Sequence, residues 1–496
     1  MSAASSTAAE GHRPIAFAAL VATYVQGVNI SIPNAALPHI QGTLSMADDE
    51  IGWIFTSYIA ASIVVMPMTG WLAASYGRKM IYQVSLAVFA AGLVLATLAT
   101  TPIQFALARI VQGAASGPLV PLSTAFLLDV LPPAQHARIG LAVTVCVLLG
   151  ISSGPSIGGW LSEYHGWHSI FYVSLPITGF IFLVIALSLP EKRAEQKPPF
   201  DFFGLGTFSL GIIGLQMLLD RGERLEWFAS GEIWMEASAS LLGFYLFIVH
   251  VLTTKVHFLN KALFRDRNFV LSTIMFFALG IVLLPTLALT SPMLEELLNY
   301  PVDTTGYMTL PRGTALVVAL VLTSFVPARI DARLIVFVGS ALVVYANWLM
   351  LGYSPLMDWR PVVIAGLLQG AGIGTLLVAL TKTAFSTLDP KFRPEGAALS
   401  GVLRLYGSTI GVAVVQIFFY NNTQAMHLAL AKNLAPYRAV AHITESIGRP
   451  ELARLNDMIT TQAAVVAVID QFKILMIAML IVSPLVFFLR KPRPAN

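Results

Sequence analysis

Residues 27–40 read GVNISIPNAALPHI, which sets two asparagines, a serine and two prolines inside a stretch otherwise apolar enough to cross a membrane. An amide carries two donors and an acceptor and does not titrate, so in lipid it must bond to something. The partner is either a substrate or water in a cavity, or a neighbouring helix. Pro33 removes a backbone donor and frees a carbonyl one turn earlier, close to Asn29. The cavity role is the expectation for Asn29 and the helix-to-helix bond that for Asn34. With Gln112 they form the polar set available to a substrate.

Charged residues inside apolar runs are costly and therefore informative. Arg109 is the first, either reaching back to an interface or facing inward. Asp470 and Lys473, three residues apart, share a helical face and are expected to neutralise each other. Glu295 and Glu296 follow PTLALTSPM, as a solvated cap or as a protonatable site. Arg312 and Arg404 complete the buried cations. A proton carrier must titrate, and a carboxyl group out of water favours its neutral form, so Glu295 and then Asp470 are the candidates. Other chemistry is missing from the pattern: no G-x-x-x-x-G-K-[ST] phosphate cradle and no histidine spacing suited to a metal. His165 and His168 flank Trp167 as an interfacial anchor, and the lone Cys146 reads as an inert core residue. No cofactor, metal or nucleic acid is expected.

These residues need membrane helices to hold them. Of the 496 residues 56% are hydrophobic and only 11% charged, and the mean hydropathy is +0.75, far outside the composition of soluble domains. Fourteen apolar runs approach the ~20 residues that span a bilayer: 14–37, 51–75, 80–100, 102–128, 138–161, 168–190, 202–219, 233–253, 268–293, 308–327, 334–354, 361–382, 397–419 and 464–489. The polar first thirteen residues carry no cleavage signal, so the first run is expected to be retained. Alternate joints collect Arg13, Arg78, Lys79, Arg265, Arg267, Lys382 and Arg490, whereas the opposite joints carry Asp48, Asp49, Glu163, Glu223 and Glu232. By the positive-inside rule both termini are cytoplasmic. The excess positive charge therefore needs no nucleic acid.

VQGAASG (111–117) and LQGAGIG (368–374) match at an offset of 257. The chain therefore reads as two related six-helix bundles, 14–190 and 268–489, with two inserted helices at 202–253. A tail (1–13), a linker (191–201), a joint (254–267) and a second tail (490–496) are cytoplasmic. The stretch 420–463 contains HLALAKNLAPYRAV and ELARLNDMI, expected as short amphipathic helices on the outer surface and as a docking site for another protein. Gly150, Gly154 and Gly158 lie four apart around Pro155, a small-residue face expected at a moving seam.

GWLAASYGRK (70–79), RIVQGAASG (109–117), GPSIGG (154–159), LLDRGERLEWF (218–228) and LPRG (310–313) together resemble the fourteen-helix drug:proton antiporters of the major facilitator superfamily, in the EmrB-like branch. The resemblance implies an all-α integral membrane fold. It sets Arg109 in the place of an arginine linked to proton coupling, Gly154, Pro155, Gly158 and Gly159 in the antiporter signature, and Arg78 with Lys79 in the cytoplasmic gate. It also implies a periplasmic adaptor as partner. Two positions depart from the family: Ala73, Ala74 and Ser75 stand where the gate usually has an aspartate, and Asn29 stands where the first span often has an acid. The expected protein is an exporter of amphipathic or hydrophobic compounds in the inner membrane, driven by protons. A uniporter or importer on the same fold, and a membrane-embedded lipid enzyme, are the alternatives.

Overall fold

The computed structural model describes residues 2–47, 50–131, 136–188, 199–254, 261–327, 330–389, 392–434 and 449–490. The linker residues 191–198, joint residues 255–260, tail residues 491–496, Asp48, Asp49 and the centre of the 420–463 stretch (435–448) lie outside the described residues. Among the described residues fourteen helices are long and apolar enough to cross a membrane, and they are numbered here as spans 1 to 14. They run Pro14–Leu44, Trp53–Tyr76, Arg78–Leu98, Pro102–Val130, Ile139–His165, Ser169–Ser188, Phe202–Arg221, Gly231–Thr253, Arg267–Leu297, Val302–Ser324, Ala332–Met350, Trp359–Ser386, Glu395–Lys432 and Ala453–Phe488. Helices follow from the solvent, because a lipid-embedded backbone must satisfy its own N–H and C=O groups.

Contacts at the helix ends fix one face of the bundle. Arg78 at the start of span 3 reaches Asp129 at the end of span 4, and Asn268 at the start of span 9 donates to the carbonyl of Arg490 beyond span 14 at 2.9 Å. This is called the terminal face, and the opposite one the far face.

Glycine sets how closely the helices approach, and the same approaches occur twice. A Cβ at Gly113 or Gly117 would strike the backbone of Tyr58 or Ser62 in span 2; one at Gly370 or Gly374 would strike that of Arg312 or Leu316 in span 10. Gly150 and Gly154 of span 5 press on span 1, as Gly407 and Gly411 of span 13 press on span 9. All four pairs of positions are 257 apart. Spans 1–6 and 9–14 are thus packed by one plan, with small residues admitting backbones where no hydrophobic drive exists.

Spans 7 and 8 form a hairpin of their own. Ser240 donates to the Gly211 carbonyl at 3.1 Å, His250 bonds to Asp201 at 2.7 Å, and Arg221 binds Glu232 and Glu236. The hairpin touches spans 2 and 13 through span 7.

The 420–463 stretch departs from expectation. Its helical spacing is real, but the described parts continue the spans rather than forming separate surface helices: one helix runs Arg393–Leu434 and another Arg449–Val482. At ~1.5 Å per residue, 42 residues extend about 63 Å, twice the ~30 Å hydrocarbon core. Two arms therefore project from the far face, joined by His427 and Asn456 at 3.1 Å.

Candidate functional site

At the centre of the first six spans lies a sealed polar knot. Arg109, Gln112 and Asn29 are each 0% exposed. Arg109 donates through Nε to the Ile54 carbonyl (3.0 Å), through Nη1 to Gln112 Oε1 (2.5 Å) and through Nη2 to the Asn29 carbonyl (3.1 Å). Its guanidinium lies 4.3 Å from the Tyr58 ring centroid. The Asn29 carbonyl is the one that Pro33 frees, so the guanidinium replaces the missing backbone donor. Gln112 Nε2 donates to Asn29 Oδ1 (2.9 Å), and Asn29 Nδ2 donates to the Val25 carbonyl (2.9 Å) and Ser174 Oγ (3.1 Å). Spans 1, 2, 4 and 6 are tied together by three side chains.

The expected cavity role for Asn29 therefore does not hold in this conformation. Its amide is fully engaged and shut away from any cavity, so Asn29 positions Arg109 and Gln112. Asn29→Ala should destabilise the protein by about 1–3 kcal/mol, the usual result of stranding buried partners. Thermal unfolding checks this, and an unchanged midpoint with an altered substrate range would restore the cavity role.

The last six spans hold a second knot. Arg312 donates through Nε to Gln369 Oε1 (2.7 Å) and through Nη2 to the Leu283 carbonyl (2.9 Å). Gln369 Nε2 in turn reaches Thr286 Oγ1 (3.2 Å) and Asn347 Oδ1 (3.4 Å). Gln369 is the repeat mate of Gln112, and Thr286 that of Asn29. The arginine comes from the opposite helix: Gly113 lies on Tyr58 and Gly370 on Arg312, which puts Arg312 in the register of Tyr58. Gly366 then occupies the Arg109 position, where an added Cβ would come within 3.3 Å of the Arg312 Cβ. A cavity of about 20 Å³ beside Arg312 has room for one water.

Asn34 does something different. Its Nδ2 crosses from span 1 to span 9 and donates to the Leu287 carbonyl (2.8 Å) and to Ser291 Oγ (3.2 Å). Ser291 is the repeat mate of Asn34, so this clasp lies on the axis relating the two sets of spans. Beside it Ser156 of span 5 donates to the Gly306 carbonyl of span 10 at 2.6 Å, and Gly159 abuts Val302. Span 2 meets span 13 in the same relation, with Gly52 against Gln416. All these crossings lie toward the far face. At the terminal face Ala19, Leu127, Ile139 and Val143 cluster within the first set, and Leu263, Phe269, Ala384, Leu388 and Leu399 within the second.

The glycine stripe was expected at the moving seam, and only part of its span is there. Gly150, Gly154 and Gly158 face span 1. Ser31 donates to the Ile151 carbonyl at 2.7 Å, which is the carbonyl that Pro155 frees. Ser152, Ser156 and Gly159 form the seam instead.

Glu295 sits in a π-helical turn, Met293–Leu297, a local widening frequent at functional sites. Both of its carboxyl oxygens are buried without a hydrogen-bond partner, and Glu296 and Glu163 are the acids near enough to act on it. Enclosing an ionised carboxylate without partners is far more costly than enclosing a neutral one. The expected Asp470–Lys473 pair is not formed: Asp470 is half-buried, Lys473 is exposed, and no ion pair joins them among the described residues.

At the terminal face Arg78 pairs with Asp129 at 2.6 Å, and Lys79 donates to the Ala186 carbonyl in the last turn of span 6 at 2.7 Å. Asp129 was missed in the sequence. Its signal was a lone acid closing the apolar run STAFLLDV, and it supplies the charge that Ala73, Ala74 and Ser75 lack. The pair is half-exposed and contributes ~0–1 kcal/mol. Replacing Arg78 and Lys79 together by alanine should slow transport a few-fold with the membrane level unchanged; initial-rate uptake into vesicles checks this, and normal turnover would leave the pair with orientation alone.

The Major Facilitator Superfamily model matches residues 19–423. The chain belongs to that superfamily. It is 30% identical over 482 residues to the fatty acid resistance protein FarB of Neisseria gonorrhoeae, covering 95% of each chain. It is 27% identical over 485 residues to the multidrug export protein EmrB of Escherichia coli K12, covering 95% of this chain and 94% of that one. These relatives set it in the EmrB-like branch, as a transporter rather than an enzyme. Among solved structures, a bacterial homologue of the lysosomal transporter Spinster, described as inward-facing and unoccupied, has a TM-score of 0.64 at 14% identity, covering 98% of this chain and 99% of that one. The nucleoside transporter NupG has a TM-score of 0.60 at 12% identity, covering 96% of this chain and 99% of that one. At such identities the likeness is one of fold.

Proposed function

We propose that this chain is a secondary active exporter of amphipathic or hydrophobic organic compounds, working by alternating access against inward proton flow in a bacterial inner membrane. The six-helix bundles 14–190 and 268–489 are the moving bodies. The observation that carries the reading is the seam: Asn34, Ser156 and Gly159 clasp the bundles at the far face, whereas their terminal-face ends pack separately. With the termini cytoplasmic, as the basic joints indicate, this clasp lies on the outer side, beside a cavity of about 460 Å³ lined by Phe55, Ala288, Glu296 and Gln416. The multidrug export and fatty acid resistance in the relatives' names support export as the direction.

Glu295 is the proposed proton carrier. The far face can enclose it cheaply only when it is neutral, so closure requires prior proton uptake from outside. A uniporter is the second reading, favoured by the neutral Asn29 beside Arg109. The two arms beyond the far face are the proposed docking element for a periplasmic adaptor.

Cells with and without the protein, compared for accumulation of a panel of dyes, detergents, antibiotics and fatty acids, test the function. Lower accumulation of several amphipathic compounds in the carrying cells is expected. Unchanged accumulation of all of them contradicts export.

A further inference from the structure

Spans 7 and 8 take no part in the knots or the clasp, yet the far end of span 7 walls the cavity of about 460 Å³ beside the clasp. That volume suits a small organic molecule. Spans 1, 2, 9, 13 and 14 supply the remaining walls, and Phe55, Leu289, Ile417, Phe419 and Val468 make much of the lining apolar. Into it the hairpin brings Asp220, the last residue but one of span 7, and the turn that follows brings Glu223 and Arg224.

The arginines near this wall are committed to other acids. Arg221 binds Glu232 and Glu236 within the hairpin, and Arg224 binds Glu50 at 3.2 Å. Asp220 has a neutral donor instead, Gln216 Nε2 at 2.8 Å, and the charged group close enough to act on it is another acid, Glu236. Glu223 likewise accepts from neutral donors, Trp227 Nε1 and Asn421 Nδ2, both at 3.1 Å. Among the described residues no ion pair joins Asp220 or Glu223 to a cation. A carboxylate in an apolar wall is costly when ionised, and a cation seated against it offsets that cost. The same wall repels an anion.

We propose that this cavity binds amphipathic organic monocations, with Asp220 of the inserted hairpin as the charge anchor and the rings of Phe55 and Phe419 against the ligand. An aromatic face attracts a cation as well as an apolar body, so the rings serve both ends of such a molecule. The inserted spans then act in selection by charge, holding cations and refusing fatty carboxylates. This rests on the exporter reading and names one substrate class for it.

The test uses full-length protein in nanodiscs at neutral pH and two probes below their micelle-forming concentrations, dodecyltrimethylammonium and dodecyldimethylamine oxide. They share a tail and a head shape, and only the first carries a net charge. Binding and the thermal unfolding midpoint are measured for wild type, Asp220→Asn, Asp220→Glu, Ala288→Phe and Asp358→Asn. Asp220→Asn keeps the acceptor that Gln216 uses and should weaken the cation about tenfold or more, the scale of one close charge pair out of bulk water, with the amine oxide within about twofold. Asp220→Glu should recover part of that loss. Ala288→Phe, which fills the cavity without changing charge, should weaken both probes. Asp358→Asn removes a far-face acid outside the cavity and should leave both unchanged, and dodecanoate should not displace the cation from wild type. Equal losses for the two probes in Asp220→Asn, a matching loss in Asp358→Asn, or displacement by dodecanoate would overturn the assignment. Wild-type protein that lowers the accumulation of other compounds yet does not bind the cation would overturn it too and leave the exporter reading standing, whereas cation binding through Asp220 in a protein that lowers no accumulation would support the site and contradict export.

Discussion

Arg109→Met is expected to abolish transport and to lower stability by about 3–5 kcal/mol, the loss typical of breaking a buried charged network from one side. The change strands the carbonyls of Ile54 and Asn29 and the Gln112 amide oxygen in a fully buried site. Pro33 makes the Asn29 carbonyl especially dependent, because no backbone N–H can return to it. Spans 1, 2 and 4 then lose their common anchor, and a bundle that must rock as one body becomes compliant. Arg109→Lys should be intermediate, since a single ammonium retains the charge but cannot reach three divergent acceptors. Thermal unfolding in detergent and transport in liposomes read the two effects; wild-type values in Arg109→Met would show that the knot is dispensable.

Fastening the clasp is the second large effect. Asn34 and Ser291 touch across the bundle axis, and alternating access requires them to part. With Cys146→Ser as background, Asn34→Cys combined with Ser291→Cys and a short thiol-cleavable cross-linker should stop transport completely, and reduction should restore it. Each single cysteine treated alike should retain transport. Full transport by the cross-linked protein would show that the far face does not open there.

Much of this was legible in the sequence for physical reasons. A bilayer demands long apolar runs, so the fourteen spans stand out, and the offset of 257 survives because glycines cannot change where helix backbones touch. The roles of individual polar residues were harder to read. Asn29 looked like a cavity group, since its partners Gln112 and Ser174 are 83 and 145 residues away and spacing along one helix does not reveal them. Asn34 looked ordinary for the same reason: a bond to a neighbouring helix was expected, but not that the helix belongs to the other bundle. The stripe at Gly150, Gly154 and Gly158 reads in the sequence as a close helix approach at a moving seam, but the glycines face span 1 of their own set, which spacing along one helix does not reveal. In the 420–463 stretch the missed signal was an absence of breakers, because no glycine or proline interrupts 412–434 and the helix has no reason to stop at the membrane.

Proton movement driven by substrate is the most direct test of the account. Purified protein in liposomes carrying a pH-sensitive dye is given a gradient of a substrate found in the accumulation panel, comparing wild type, Glu295→Gln and Asp470→Asn. Wild type should move protons opposite to substrate, Asp470→Asn should retain most of that movement, and Glu295→Gln should lose it while still exchanging substrate across the membrane. Proton movement that persists in Glu295→Gln would contradict Glu295 as carrier, and none in wild type despite substrate flux would contradict antiport itself.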